Sequence, residues 1–225
     1  MDWEALFLTL KLDLVVCGLL LLIGVPIAVW LASSRWRWKF LLEAVVALPL
    51  VLPPTVLGFY MLLAMGPRSP LGKAYFAIRG QGLPFTFWGL VIASVLYSLP
   101  FMVQPIAAAF ASVDPKLIAA SAVLGASRLR TFFQVVVPLS FGGLLTGLVL
   151  TFAHTLGEFG VVLMVGGNIP GVTRTVSISI YDNVQALDYA SAAQTSLVLL
   201  VASFLILSVV YAVNRTGSLL WPTRR

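Results

Sequence analysis

Charge is scarce in this sequence. Only 10% of its 225 residues are Asp, Glu, Lys or Arg, against roughly 25% in an ordinary soluble domain. So few charges cannot solvate the surface of a water-soluble globule, and the mean hydropathy of +1.02 agrees. The one cysteine, Cys17, lies in an apolar run, which excludes an internal disulfide and cysteine-rich metal sites. With a single histidine, His154, zinc chemistry is excluded too. No serine, cysteine or paired-carboxylate constellation suggests hydrolysis. No basic region precedes the first apolar run, so that run is expected to be a retained span rather than a cleaved signal peptide. Internal repeats, low-complexity tails and soluble domains are not evident.

What is present is apolar sequence, 60% of the chain. Five runs are long enough to cross a bilayer, which takes about 20 helical residues. They cover 14–32, 44–65, 85–113, 132–164 and 190–213, so the expected fold is an all-α integral membrane domain occupying 1–225. Lysine and arginine set the orientation. With the N-terminus outside, the inner segments hold Arg35, Arg37, Lys39, Lys116, Arg128, Arg130, Arg215, Arg224 and Arg225, and the outer ones Lys11, Arg68, Lys73, Arg79 and Arg174. Nine against five favours N-out, C-in. Prolines recur inside the runs (Pro26, Pro49, Pro53, Pro54, Pro100, Pro105 and Pro138). Each removes a backbone donor and kinks or breaks a helix, and the density around Pro53-Pro54-Thr55 predicts a sharp bend.

Between the third and fourth runs lies the longest charged interruption, Asp114 to Leu139. Asp114-Pro115 is a helix start, with proline at the first helical position. Leu117, Ala120 and Leu124 follow at helical spacing and Gly125 is placed to end that helix. Ser127 can cap a second helix carrying Arg128 and Arg130. The loop, 114–131, is either a docking surface or an ordinary helical connector.

Two tempting motifs carry no chemistry. Gly66 to Ala74 has five residues between its glycines, not four, and Ala74 where a phosphate loop needs Ser or Thr. Asn214-Arg215-Thr216 is a glycosylation pattern on the expected inner side. His154 and Glu158 are one helical turn apart, and ionisable groups at membrane depth are functional candidates by default. Gly157, Phe159 and Gly160 flank Glu158, so the backbone there suits a gate or a loop entrance, and a mutual His154–Glu158 hydrogen bond would satisfy both. In 171–188, Val176, Ile178 and Ile180 alternate with serines, but a strand would have no partner. That segment is expected to be a solvated connector, to cover a pathway, or to touch an extracytoplasmic protein.

With these residues assembled, the chain resembles the permease subunits of bacterial ATP-binding-cassette importers. Their cytoplasmic signature is Glu-Ala-Ala, three residues, Gly, nine residues, Ile-x-Leu-Pro. Here Ala119-Ala120-Ser121, Gly125 and Val135-Val136-Val137-Pro138 keep the spacing. The glutamate is replaced by Ala119, so shape and the nearby Arg128 and Arg130 would hold the docking. Leu48 to Gly66 and His154 to Thr175 extend the resemblance to molybdate permeases, with sulfate and tungstate permeases close relatives.

That resemblance implies a type I importer fold in a bacterial inner membrane. It has five transmembrane helices and a short cytoplasmic coupling helix between the third and fourth. It also implies a homodimer embedded in membrane lipid, two ATPase subunits that bind ATP and Mg themselves, and an extracytoplasmic oxyanion-binding protein. No cofactor, catalytic residue or nucleic acid is implied for the permease. ATPase coupling would fall to Ala119, Ala120, Ser121, Gly125, Arg128, Arg130 and Pro138. Gate and pathway would fall to Pro53, Pro54, Thr55, His154, Gly157, Glu158, Phe159 and Gly160. Proline-broken spans also suit an ATP-independent channel or carrier, and a structural membrane protein would need no pathway.

Overall fold

The first helix starts well before the apolar run that announces it. In the computed structural model, which describes residues 2–220, α1 spans Trp3–Ser33, and Asp2 caps it by accepting the Ala5 N–H at 3.0 Å. Its buried positions include Leu8, Leu12, Val16 and Leu20, a helical stripe that carries Lys11 and Asp13 into the helix. At 1.5 Å per residue it is about 46 Å long. Arg224 and Arg225, counted above for orientation, lie outside the described residues, as do the side chains of Asn214, Arg215 and Thr216.

α2 (Lys39–Val51) and α3 (Pro54–Met65) meet at 113°. Leu52 and Pro53 are extended (ψ 135° and 136°), the conformation that a following proline favours over helical backbone. Pro54 then opens α3, where its missing N–H costs nothing. α4 (Pro70–Arg79) is short and amphipathic, and α5 (Phe87–Ala111) runs unbroken through Pro100 and Pro105. Pro26 likewise leaves α1 continuous.

α6 (Pro115–Val123) and α7 (Arg128–Thr131) lead into a π-helical turn, Phe132–Val136, and α8 (Val137–Leu139). The wider turn, closed by Val137 N–H to the Phe132 carbonyl, lets Pro138 follow without a donor. After a 71° bend come α9 (Phe141–Leu156), a break, α10 (Gly160–Gly166), α11 (Val176–Gln185) and α12 (Tyr189–Leu220).

Every described element is therefore helical. Three helices are long and apolar enough to cross a membrane, and two bent pairs raise the count to five if each forms one span. The core is α1 on α5 and α5 on α9: Leu12, Val16 and Leu20 pack with Leu90, Met102 and Ile106. Gly147 lets α9 approach α5 so closely that a Cβ there would sit 2.9 Å from the Met102 carbonyl oxygen. Leu14 and Leu22 of α1 and Phe204 and Leu205 of α12 face outward as an exposed apolar surface.

Residues 176–180 correct one expectation. They are helical, with Val176, Ile178 and Ser179 buried. The Val176 N–H donates to Thr9 Oγ1 at 2.8 Å and Ser179 Oγ to Asp2 at 3.2 Å. Neither a strand nor a solvated connector describes this segment. Tertiary contact with α1 overrides a five-residue alternation.

Candidate functional site

Two clusters lie at opposite ends of the core. Thr9 reaches Val176, Lys11 sits 4.7 Å from the Phe87 ring centroid, and the Phe85 N–H donates to the Val165 carbonyl at 2.9 Å. These contacts bring the start of α1, the start of α5 and the α10–α11 region together. At the other end Ser140 Oγ donates to the Ala109 carbonyl at 3.2 Å, where α5 runs out and α9 begins.

The first cluster surrounds the α9–α10 break. α9 stops at Gly157, whose N–H returns to the Ala153 carbonyl at 3.4 Å, and Glu158 and Phe159 are non-helical before Gly160 restarts the chain. His154 does not pair with Glu158. Its Nδ1 lies 2.9 Å from Ser98 Oγ, which is also 3.0 Å from Thr155 Oγ1. The imidazole stacks on Phe101 at 4.0 Å and meets Tyr97 edge-on at 4.6 Å.

Glu158 is 4% exposed and neither carboxyl oxygen has a hydrogen-bond partner. Asp13 on α1 is in the same condition at 0% exposure. The two are near enough to interact electrostatically. Ser94 is within reach of Glu158, but its hydroxyl makes no hydrogen bond of ordinary geometry. Nothing in the sequence marks Asp13, Ser94 and Ser98 as partners, and the first apolar run begins one residue after Asp13. The helical stripe Leu8, Leu12, Val16 extends backward through it and was the available signal.

Pro54 and Gly160, singled out on separate grounds, touch. A Cβ on Gly160 would lie 2.7 Å from Pro54 Cβ, and one on Gly58 equally close to Met164 Cβ. α10 is thus wedged against α3, and the glycines make the approach possible. Pro53 and Thr55 are exposed beside this contact. Over the break lies α11, with Tyr181 5.0 Å from Phe159 and Ser177 Oγ 3.5 Å from the Leu156 carbonyl.

The second cluster is the helical loop at 114–131, the candidate docking surface. Asp114 accepts the Lys116 N–H at 2.8 Å and Ser127 the Arg130 N–H at 3.3 Å. Between the two helices Gly125 has φ +78°, and the Ala126 N–H reaches back to the Ser121 carbonyl at 3.1 Å. A Cβ on Gly125 would meet nothing within 4 Å, so glycine is required there by backbone conformation alone. Ser121 Oγ lies 2.8 Å from Thr131 Oγ1, and Arg130 Nε donates to Gln134 at 3.1 Å. No residue of α6, Ala119 and Ala120 included, is buried, and Val123 and Leu124 are 88% and 86% exposed. Arg128 lines a groove running toward α1 and α5. Pro138 sits just beyond the π turn. Among the described residues no group of three or more His, Cys, Asp or Glu is placed to hold a metal ion.

Residues 24–216 match the family described as binding-protein-dependent transport system inner membrane component. The chain is 51% identical to a molybdenum transport system permease protein of Azotobacter vinelandii, over 95% of each chain. It is 39% identical to one from Escherichia coli K12, over 82% of this chain and 80% of the relative. Among solved structures, the backbone superimposes on the MetNI methionine ABC transporter with a TM-score of 0.73, covering 96% of each chain at 16% identity. A bacterial ABC transporter that imports alginate gives 0.69, covering 98% of this chain and 79% of that one at 18% identity.

Proposed function

Because the chain belongs to the family of binding-protein-dependent transport system inner membrane components, we propose that it is the permease subunit of an ATP-driven molybdate importer. It is a multi-pass inner-membrane transport subunit and not itself a catalyst. The observation that carries the reading is the docking segment. A capped helix with no buried residue and strongly exposed Val123 and Leu124 is an unfinished surface, and such a patch marks a protein partner. The partner is the ATPase, because nothing in the chain resembles a nucleotide site. Molybdate as cargo rests on relatives as similar as 51%.

Two copies of the chain, each with five spans and its N-terminus outside, enclose the pathway. Ala119, Ala120, Ser121 and Gly125 form the contact with the ATPase, edged by Arg128 and Arg130, and Pro138 fixes where the segment rejoins the membrane wall. Closure of two ATPases on ATP turns both docking segments and rocks the halves between inward- and outward-open. An extracytoplasmic binding protein delivers the oxyanion. At the opposite end, Pro53, Pro54 and Thr55 with His154, Gly157, Glu158, Phe159 and Gly160 form the outer gate. The described spans present no basic cluster, which suits a path an anion must leave again.

Uptake into proteoliposomes holding this chain, its ATPase and the binding protein tests the reading. Molybdate uptake that requires ATP and resists excess sulfate is expected. Uptake without ATP points to a carrier, and sulfate competition moves the substrate to its neighbour. Glu158→Ala in the same assembly is expected to cut uptake about tenfold, the scale of about 1.4 kcal/mol, and to alter basal ATP hydrolysis. No change in either quantity makes Glu158 structural.

A further inference from the structure

α6 has two unpartnered faces, and the ATPase can cover only one. Leu117, Ala120 and Leu124 share one face by helical spacing. Pro115, Ile118 and Ala122 share another, and these three line a groove of about 1020 Å³ between the docking segment and the membrane wall. Its upper wall is Val25, Pro26, Val29 and Trp30 of α1 with Phe110 and Ala111 of α5. Leu129, Phe132 and Val136 continue it beneath.

The chemistry of this groove is one-sided. No acidic residue lines it, and its only charge is Arg128. Its hydroxyls are already engaged, Ser33 donating to the Val29 carbonyl at 2.8 Å and Thr131 meeting Ser121. Among the described residues Arg128 has no carboxylate partner, whereas Arg174 pairs with Asp2 and Asp182. A water-soluble ligand would find too few polar groups to orient it. The volume also sits at the upper limit of ordinary small-molecule sites, roughly 300–1,000 Å³. Trp30 lines the groove and its ring meets that of Trp36 edge-on at 6.0 Å, and tryptophans of this kind sit at headgroup depth.

We propose that the groove holds one anionic phospholipid, its acyl chains along α1 and α5 and its phosphate on Arg128. The lipid then forms a wedge between the membrane wall and the back of α6, so the docking segment presses on the ATPase from a lipid-supported face. This rests on the membrane placement of the chain and on the docking segment, not on which ion is carried. A second copy of the chain or the ATPase itself are the competing occupants.

The full chain, purified in detergent, is exposed to phosphatidylglycerol and phosphatidylcholine of identical acyl composition, and retained lipid is counted by native mass spectrometry. Phosphatidylglycerol is expected to be retained about fivefold over phosphatidylcholine, the scale of one cation at a headgroup. Arg128→Gln is expected to erase that preference, and Arg35→Gln to preserve it. Ala111→Phe and Ala122→Phe, which narrow the groove without touching Arg128, are expected to lower retention of both lipids at an unchanged melting temperature. Equal retention of the two lipids by the unaltered chain overturns the proposal, as does a preference that survives Arg128→Gln. So does a cross-link from Ala122→Cys to a second copy or to the ATPase in the assembled transporter. ATP-dependent molybdate uptake is measured separately with Ala111→Phe, which lies in the groove and outside the ATPase contact, so loss of the lipid site with uptake intact leaves the transport function standing.

Discussion

Glu158 and Gly125 both sit in breaks between helices, yet the two breaks are held in opposite ways. Around Glu158 the chain is fixed from outside: Gly160 abuts Pro54, α11 lies across the break, and Ser98 on α5 binds His154 and Thr155. Around Gly125 the contacts are local, an N-cap, a left-handed glycine and a hydrogen bond between Ser121 and Thr131, with no buried residue in α6. The first break is part of the core, so its geometry changes only if helices move. The second has a shape but no tertiary support, so its position is set by whatever covers it.

That contrast can be broken by substitution. Gly160→Val should cause the largest loss, because the added atoms meet Pro54, whose ring cannot yield. About 1–3 kcal/mol is expected, read as a lowered melting temperature of the purified chain. Ser98→Ala should cost nearly as much, about 1–3 kcal/mol, since it strands His154 and Thr155 together. A melting temperature unchanged in both would mean the Glu158 break is not part of the core.

Gly125→Val meets no neighbouring atom and is penalised only by its left-handed backbone, about 1–2 kcal/mol. It should leave the melting temperature of the core nearly intact while uncoupling uptake from ATP hydrolysis. Gly125→Asn, which tolerates that conformation, should restore much of the coupling. Normal coupled uptake in the valine variant would remove the docking turn from the mechanism. Ser121→Ala is the mildest: one partly buried hydrogen bond, about 0.5–1.5 kcal/mol, visible as a modest fall in coupling and little else.

The segment at 114–131 was the most legible part of the chain because its signals are local. Asp114-Pro115, Ser127 and Gly125 each act through the backbone of their immediate neighbours, and each acts as its residue type requires. The bend at Pro53-Pro54 was legible for the same reason. The Glu158 cluster was only half legible. Glu158, Gly157 and Gly160 stand out in an apolar run, but Asp13, Ser94 and Ser98 come from other helices and carry no mark of that meeting. The serine alternation at 176–180 suggested a solvated connector, and the structure instead shows a helix held by contact with Thr9 and Asp2.

Composition and spacing alone determined that the chain is helical, that it lies in a membrane and that a capped, glycine-ended helix interrupts it. Hydropathy, proline and caps act over a few residues, and a sequence records them directly. Tertiary structure decided which polar groups share the Glu158 cluster, that α10 wedges against α3, and that α6 stands clear of the core across an apolar groove. Those outcomes depend on the close approach of helices tens of residues apart, where a missing Cβ or a shared hydroxyl matters only once the partner helix is in place.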